Sequence, residues 1–359
     1  MHFLKKIAFI TFLTPFVLVN AEVEEVVVTA NKKEETVQEI PMNISVITDV
    51  DIQERGITNP EDFLRTLAGV TTPGGARFYS IRGLNTSSAQ RSSGTTSSYV
   101  DEIPGTTMNI WDIDRIEVLR GPQGTLHGAN AMAGLINVRS NEPQSNPFNQ
   151  ISLGIGYYDH HSFQFVSTGP LISDSLLYRF ALGSNESNGS IKNRHLEKSD
   201  TNDIMEITSK FKLEWTVNPK TKLSGHVFFI DTDNGFDAFS LDNSRNTLSD
   251  EPGKDTLKTL AGAIKVTQDF SPFTLNFQAS FSNSDSIYSY DEDWTFVGIA
   301  PGWEYKSFDS YARERDAYSL QARLTSKQPL KLGSAMSDWS IGLFSTPSQP
   351  AASRASFSV

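Results

Sequence analysis

The chain has 359 residues, with 31 Lys and Arg against 42 Asp and Glu and a formal charge of −11. That balance argues against nucleic acid as a partner. It contains no cysteine, which excludes a disulfide framework and a thiolate metal site. Hydrophobic residues make up 38 %, and past the N-terminus no apolar run reaches the ~18 residues that a spanning helix needs. A helical membrane protein is excluded. A β-barrel is not, because its alternating strands average out as polar.

Residues 1–21 predict a secretory signal. Lys5 and Lys6 form the charged region, 7–19 an apolar core, and Val19-Asn20-Ala21 a cleavage site. The mature chain is expected to begin near Glu22. Residues 22–30, EVEEVVVTA, follow. Val26, Val27, Val28 and Thr29 are β-prone, but Glu24 and Glu25 precede them and Lys32, Lys33, Glu34 and Glu35 come after. Such a segment cannot bury both faces. It reads either as an exposed strand suited to β-augmentation by a partner or as the first strand of the next domain.

Ile44 to Thr48 alternates as a strand. Residues 51–55 predict a short helix ended by Gly56. Thr58 or Asn59 then caps a second helix, with Pro60 at its first position and Glu61 and Asp62 in its first turn. Phe63, Leu64 and Leu67 form its apolar face, and Gly69 is expected to end it. Residues 78–84, FYSIRGL, predict a strand that contains Arg82 and Gly83. The Ser/Thr/Gly-rich stretch 85–98 reads as a loop. Tyr99-Val100-Asp101-Glu102-Ile103-Pro104 reads as a strand and turn.

Residues 112–138, DIDRIEVLRGPQGTLHGANAMAGLINV, hold two apolar runs, 116–119 and 135–138. Both read as short buried strands. Gly121, Gly124, Gly128 and Gly134 punctuate the link between them, where backbone turns tightly or passes close to backbone. The link lacks the Gly-Lys-Ser/Thr ending of a phosphate loop.

After residue 146 helical signals vanish and period-two runs begin. Ile151, Leu153, Ile155 and Tyr157 form one, and Leu176, Tyr178, Phe180 and Leu182 the next. Phe211, Leu213, Trp215 and Val217 face one way, with Lys212, Glu214 and Thr216 on the other. Runs of the same kind start at Leu223, Leu260, Phe273, Tyr318 and Trp339. About nine strands are expected. Tight turns alternate with long polar stretches such as 231–258 and 282–316. This is the pattern of a transmembrane β-barrel, and a soluble β-sandwich shares its alternation. No G-x-S-x-G or H-E-x-x-H motif occurs. His160 and His161 are adjacent and point to opposite faces if extended, which disfavours chelation. His127 and His226 are isolated, and the acidic 291–293 reads as solvated loop. Nothing predicts catalysis, a resident cofactor or a metal site.

Several motifs resemble the TonB-dependent outer-membrane receptors. Arg115-Ile116-Glu117-Val118-Leu119-Arg120-Gly121-Pro122, the tail Gly134-Leu135-Ile136-Asn137-Val138, Ile81-Arg82-Gly83 and the Tyr99–Pro104 run match that family's plug domain, in order. Residues 24–30 resemble its TonB box: Glu24, Glu25, Val26, Val27, Val28, Thr29 and Ala30. The resemblance implies an α+β plug over 36–146, a box and linker over 22–35, and antiparallel transmembrane β-barrel strands over 147–344. It implies energised uptake of a scarce solute across the outer membrane, most often a ferric siderophore. A cobalamin or carbohydrate receptor is the alternative transporter, and a periplasmic plug remnant the non-transporting alternative. Implied partners are TonB with its inner-membrane energising complex, outer-membrane lipid and an iron chelate; the chain is expected to be a monomer. Family plug arginines pair with acids on the barrel wall. The resemblance therefore gives Arg82, Arg115, Glu117 and Arg120 a latch role, with Gly83, Gly121, Gly124, Gly128 and Gly134 as structural glycines. Residues 147–359 number 213, too few at ~10 per tilted strand for a 22-stranded barrel. A C-terminally truncated product is expected, with 345–359, STPSQPAASRASFSV, as a low-complexity tail.

Overall fold

The computed structural model describes residues 27–28, 35–36, 38, 43–57, 59–76, 78–85, 95–104, 110–124, 131–332, 335–345 and 352–358. The signal expected at 1–21 lies outside these residues, as do Glu24, Glu25, Val26, Thr29, Ala30 and Gly128. The chain divides into two compact units, 1–41 and 42–359.

In the first unit β1 (Val27–Val28) pairs antiparallel with β2 (Glu35–Thr36). Val28 is opposite Glu35, and its side chain is 0 % exposed. Of the two readings of this segment, the described residues show Val27 and Val28 paired within a short ladder. A local hairpin supplies main-chain partners on one side of Val27 and Val28, and the other edge of this two-stranded ladder has no strand against it among the described residues.

The second unit begins with an inner α+β domain. It comprises β3 (Asn43–Thr48), α1 (Asp49–Glu54), α2 (Pro60–Arg65), β4 (Val70–Ala76), β5 (Phe78–Ile81), β6 (Leu84–Asn85), β7 (Thr96–Val100), β8 (Ile103–Pro104), β9 (Ile113–Arg120) and β10 (Gly134–Ser140). Thr48 and Asp51 close a capping box at α1: Asp51 N donates to Thr48 Oγ1 at 3.2 Å, and Thr48 N donates to Asp51 Oδ2 at 3.0 Å. Asn59, not Thr58, caps α2, accepting from Asp62 N at 2.9 Å. The helix stops at Arg65, ahead of Gly69, because Thr66 Oγ1 donates to the Phe63 carbonyl at 2.7 Å and takes up an orphan acceptor.

One sheet runs β3-β9-β10-β7-β8 and a smaller one β4-β5-β6. β7 starts at Thr96, inside the stretch read as loop. Its parallel register with β10, Thr96 opposite Gly134, provides the main-chain bonds that its serines do not predict. A Cβ at Gly134 would lie 2.3 Å from the Leu119 carbonyl oxygen, so β9 and β10 close only on glycine.

The wall follows. Its strands are β11 (Phe148–Gly156), β12 (His160–Ile172), β13 (Leu176–Ser187), β15 (Ile204–Asn218), β16 (Thr221–Phe236), β18 (Gly253–Asp269), β19 (Phe273–Asp291), β20 (Phe308–Ser326) and β23 (Ser340–Ser345). Short pieces lie between them: β14 (Lys192–Asn193), β17 (Asn246–Thr247), β21 (Leu330–Leu332) and β22 (Ala335–Ser337). The nine wall strands form one antiparallel meander in chain order, open among the described residues. β24 (Ala352–Ser358) adds a tenth strand on β20, in line with β23. The 345–359 stretch, read as a low-complexity tail, carries a strand. Main-chain pairing to residues 308–314 orders it without any apolar alternation.

Phe211, Trp215, Val227, Leu260, Ile264, Phe277, Phe281 and Leu320 are exposed on the outer face, as the alternation predicts. Their neighbours turn inward. Phe228, Ile230, Leu257, Ala261 and Ala263 join Phe63, Ile103, Ile116 and Ile136 in one hydrophobic cluster, so wall and inner domain share a core. The strands outrun the apolar belt. β16 continues to Phe236 and β19 to Asp291, through stretches expected as loops. There the outer face carries cross-strand ion pairs, Lys258–Asp231 at 3.2 Å and Lys254–Asp233 at 3.8 Å, so pairing persists without apolar contacts. Among the described residues no helix is long and apolar enough to cross a membrane.

Candidate functional site

The inner domain meets the wall through charge. β7 and β8 are joined by only two residues, Asp101 and Glu102, with Val100 opposite Ile103. Both lie in the left-handed region, at φ 49° and 68°. Asn-Gly is the usual choice for such a turn, and each side chain with a Cβ costs about 1–2 kcal/mol there. Their carboxylates hold the turn. Ser140 donates to Asp101 from its N at 2.9 Å and from its Oγ at 2.5 Å. Lys212, on the inner face of β15, stands 3.3 Å from Asp101 and 3.2 Å from Glu142, and donates to the Ser140 carbonyl at 3.0 Å. Glu102 pairs with Arg139 at 3.2 Å and with Lys265 of β18 at 3.8 Å.

Just before β9, Asp112 repeats the theme at φ 52°. Arg179 of β13 grips it with two nitrogens, Nε at 2.9 Å from Oδ2 and Nη2 at 2.5 Å from Oδ1. The two side chains are only 8 % and 4 % exposed. Asn141 Nδ2 adds a third donor at 2.9 Å. A forked guanidinium–carboxylate pair with its remaining lone pair filled is the geometry in which a buried ion pair offsets its desolvation. Next to it, Lys210 donates to the Trp111 carbonyl, and the Trp111 ring lies over Gly183, where a Cβ would come within 3.1–3.3 Å of it.

Register sets this out in advance. Arg179, Lys212 and His226 are directly opposite one another on β13, β15 and β16, on the face that turns inward. The wall carries the bases and the inner domain the acids. Burial alone would raise the Asp101 carboxyl, but Lys212, His226 and Arg139, with the Ser140 hydrogen bond, outweigh it and hold it far below the usual carboxylate range. Burial would likewise lower Arg139, and Glu102 and Asp101 reverse that. Among the described residues no group of three or more His, Cys, Asp or Glu is placed to hold a metal.

The latch residues expected from sequence lie elsewhere. Arg82 is exposed, in a turn at φ 55° beside Gly83 at φ 77°. Arg115 pairs with Asp114 and, at 2.9 Å, with Glu117, which is fully buried and also accepts from Asn137 at 3.0 Å. Arg120 donates to Ser45 at 2.8 Å and Asn43 at 3.1 Å. These groups stitch the inner sheet together and do not reach the wall. Among the described residues the ion pairs between plug and wall run the other way, from acids on the plug to bases on the wall. Physically, β9 lies between β3 and β10, and its charged side chains meet partners on β3, on β10 and on β9 itself. Gly121, at φ 116°, starts the turn after β9, and Gly124 is exposed. The sequence did carry a signal for the true wall residues: Arg179, Lys210 and Lys212 are bases on the inward phase of alternating strands.

Residues 36–135 match the family model for the TonB-dependent receptor plug domain. The chain carries a TonB-dependent receptor plug. Strands of the antiparallel wall in which such plugs sit follow it. The pesticin receptor of Yersinia pestis is 32 % identical over 160 residues, 42 % of this chain and 24 % of that protein. A vitamin B12 transporter of Vibrio vulnificus is 26 % identical over 319 residues, 84 % of this chain and 48 % of that protein. Among solved structures, the ferric yersiniabactin uptake receptor from Yersinia pestis superposes with TM-score 0.72 at 18 % identity, covering 88 % of this chain and 50 % of that one. The chain thus spans half or less of the length of these relatives. Among the described residues, Asp101, Glu102 and Asp112, three of the plug acids that pair with wall bases, are held at positive φ. Strain of this kind collects where surroundings over-determine the backbone. Here the surroundings are the wall bases.

Proposed function

We propose that this chain acts in energised uptake of a scarce solute across the outer membrane, with the plug as the closed gate and residues 24–30 as the contact for TonB. The observation that carries this reading is the plug clamped by Arg179, Lys210 and Lys212 to the inner face of a wall whose outer face is apolar. Apolar-out, polar-in antiparallel strands suit a bilayer, and a plug held by ion pairs, not by a purely apolar seam, can be withdrawn and returned. Main-chain pairing to the outer edge of β1 would transmit the pull without a side-chain pocket. We take a ferric siderophore as the solute, in line with the ferric yersiniabactin receptor and the ferric-pyoverdine receptor of Pseudomonas putida among the similar proteins. The match over most of the chain to a vitamin B12 transporter makes cobalamin the second reading.

The test is uptake of radioiron-loaded siderophores and of labelled cyanocobalamin by cells that carry or lack the gene, with and without an uncoupler. Uncoupler-sensitive iron uptake that follows the gene is expected. Cobalamin uptake alone would move the reading to the second solute. Uptake of neither, with the chain recovered from the soluble periplasm, would overturn it.

A further inference from the structure

The acidic run 291–293, read from sequence as solvated, opens on a buried junction between two outer loops. Asp291 ends β19 well past the apolar belt and is only 5 % exposed. Its Oδ1 accepts from Trp294 N at 3.1 Å, and its Oδ2 accepts from Asp250 N, in loop 237–252, at 3.1 Å. Asp293 accepts from Thr295 N at 3.1 Å and from Ser307 N at 2.8 Å. The Thr295 carbonyl accepts from Asp250 N at 3.1 Å. Carboxylates thus tie loop 292–307 both to itself and to loop 237–252. Trp294 is held at φ 61° and stacks on Phe239 of the other loop at 5.2 Å. A bulky residue in the left-handed region is strained and stays there only while its surroundings hold it.

Charge does not balance at this junction. Asp250, Glu251, Asp291 and Asp293 share Lys306, which lies 3.4 Å from Asp250 and 3.4 Å from Glu251. Among the described residues no lysine or arginine pairs with Asp291 or Asp293, and the charges that bear on Asp291 are those of Asp293 and Asp250. Other titratable groups packed around it are engaged elsewhere. Glu292 accepts from Tyr305 OH at 2.9 Å, and Asp309 of β20 accepts from the hydroxyls of Tyr290 and Tyr311, each at 3.0 Å. Lys254 of β18 stands 3.8 Å from Asp233, and His195 of loop 188–203 stacks on Phe296 at 4.0 Å. Between the acids, Thr295 is 2 % exposed, and its Oγ1 has no hydrogen-bond partner; neither has the buried Oδ1 of Asp250. Unmatched buried oxygens of this kind ask for a missing donor. A proton on one acid removes a negative charge and adds a donor together. Burial and the charges of Asp293 and Asp250 push the Asp291 carboxyl up to about 7.

We propose that loops 237–252 and 292–307 are joined by a proton-sensitive latch, with Asp291 as the group that takes the proton, closed in acid and loosened as the medium turns neutral. Protonated, Asp291 keeps its place between Trp294 and Asp250 without adding charge. Ionised, it sets a third carboxylate charge beside Asp250 and Asp293, and the strained turn at Trp294 is released. The proton is held more tightly in the closed latch than in an open loop, where aspartate has its ordinary 3.8. Closure is therefore strongest below that value, weakens as pH rises, and levels off above about 7. The latch is independent of which solute the chain carries.

Amide exchange of residues 292–307 in the full-length, micelle-held chain tests this, each rate being divided by the intrinsic rate of that amide at the same pH. Protection should fall about tenfold or more between about pH 5 and about pH 7 and then level off, with β18 unchanged, since one pKa unit is a factor of ten in the linked equilibrium. Asp291→Asn, uncharged throughout, should abolish the slope. Asp250→Asn keeps the backbone donor and removes a neighbouring charge, so it should bring the plateau to lower pH. Native protection that stays constant over this range overturns the proposal. So does a slope that survives Asp291→Asn, which would belong to His195 or another group. If Asp291→Asn leaves the loop unprotected at every pH, Asp250→Asn decides: a plateau at lower pH supports the latch, and an unshifted one overturns it.

Discussion

Arg179→Met is the most informative single change. It keeps much of the stem's volume and removes the guanidinium that grips Asp112 at 2.5–3.2 Å in a seam where both side chains are over nine-tenths buried. The carboxylate loses its forked partner and keeps the Asn141 hydrogen bond. Stranding one member of a buried pair costs about 3–5 kcal/mol, between about a hundred and a few thousand in an opening equilibrium. Amide hydrogen exchange of β9 and β10 in the micelle-held chain should accelerate by that factor, while the exchange of β18 and β19 stays unchanged. Asp112→Gly alone should also loosen the plug, because Arg179 is then buried without its partner. The double variant removes both charges and the positive-φ penalty of about 1–2 kcal/mol, so it should exchange more slowly than either single variant. Unchanged exchange in Arg179→Met, or strictly additive losses in the double variant, would refute the claim that this pair latches the plug.

Other outcomes follow from the same geometry. Gly183→Val forces a branched side chain against the Trp111 ring, where even a Cβ would be only 3.1 Å away; thermal melts should show a loss of about 1–3 kcal/mol, largely recovered by adding Trp111→Ala. The folded pKa of Asp101 lies below its ordinary 3.8, so its contribution is complete above pH 3.8 and fades only as pH falls beneath that value. Plug protection followed by hydrogen exchange should therefore hold through pH 5 and 4 and decline below, and a decline starting near neutrality would contradict the assignment. In the outer loops, Asp237 accepts from Asn193, Thr247 and Ser249 and ties residues 188–203 to 237–252. Asp237→Ala removes the acceptor of the Thr247 and Ser249 hydroxyls and one of those of Asn193, and should speed proteolytic nicking in these two loops, with the wall strands intact.

The wall was legible because period-two alternation is a direct consequence of a sheet with unlike faces. Phe211, Leu213 and Trp215 against Lys212 and Glu214 are enough to set both faces of β15. The strand ends were not legible: past Asp231 and Ser282 the outward residues are mostly polar or charged, and pairing continues through Lys258–Asp231 and similar contacts that only the register reveals. The helix caps could be read to within a residue, since Asn59 and Thr58 differ only in where the turn closes. The partners of the plug arginines were not legible, because sequence shows a charge but not its nearest partner. Arg115 and Arg120 are taken by Glu117, Ser45 and Asn43 inside the plug, while Asp101, Glu102 and Asp112 reach the wall from turns whose left-handed backbone no local pattern announces. β24 was missed for the same reason as β7: serine-rich segments become strands when a long neighbour offers an edge.

The claim at the centre of this account is that the plug sits against the inner face of β13 in the membrane-embedded chain. A Trp111→Cys/Gly183→Cys variant tests it directly, in a chain with no other thiol. Mild oxidation of outer-membrane vesicles should close an intramolecular disulfide nearly completely, seen as a gel-mobility shift that a reductant reverses. Two thiols that stay free under oxidation, yet react fully with maleimide once the chain is denatured, would contradict it.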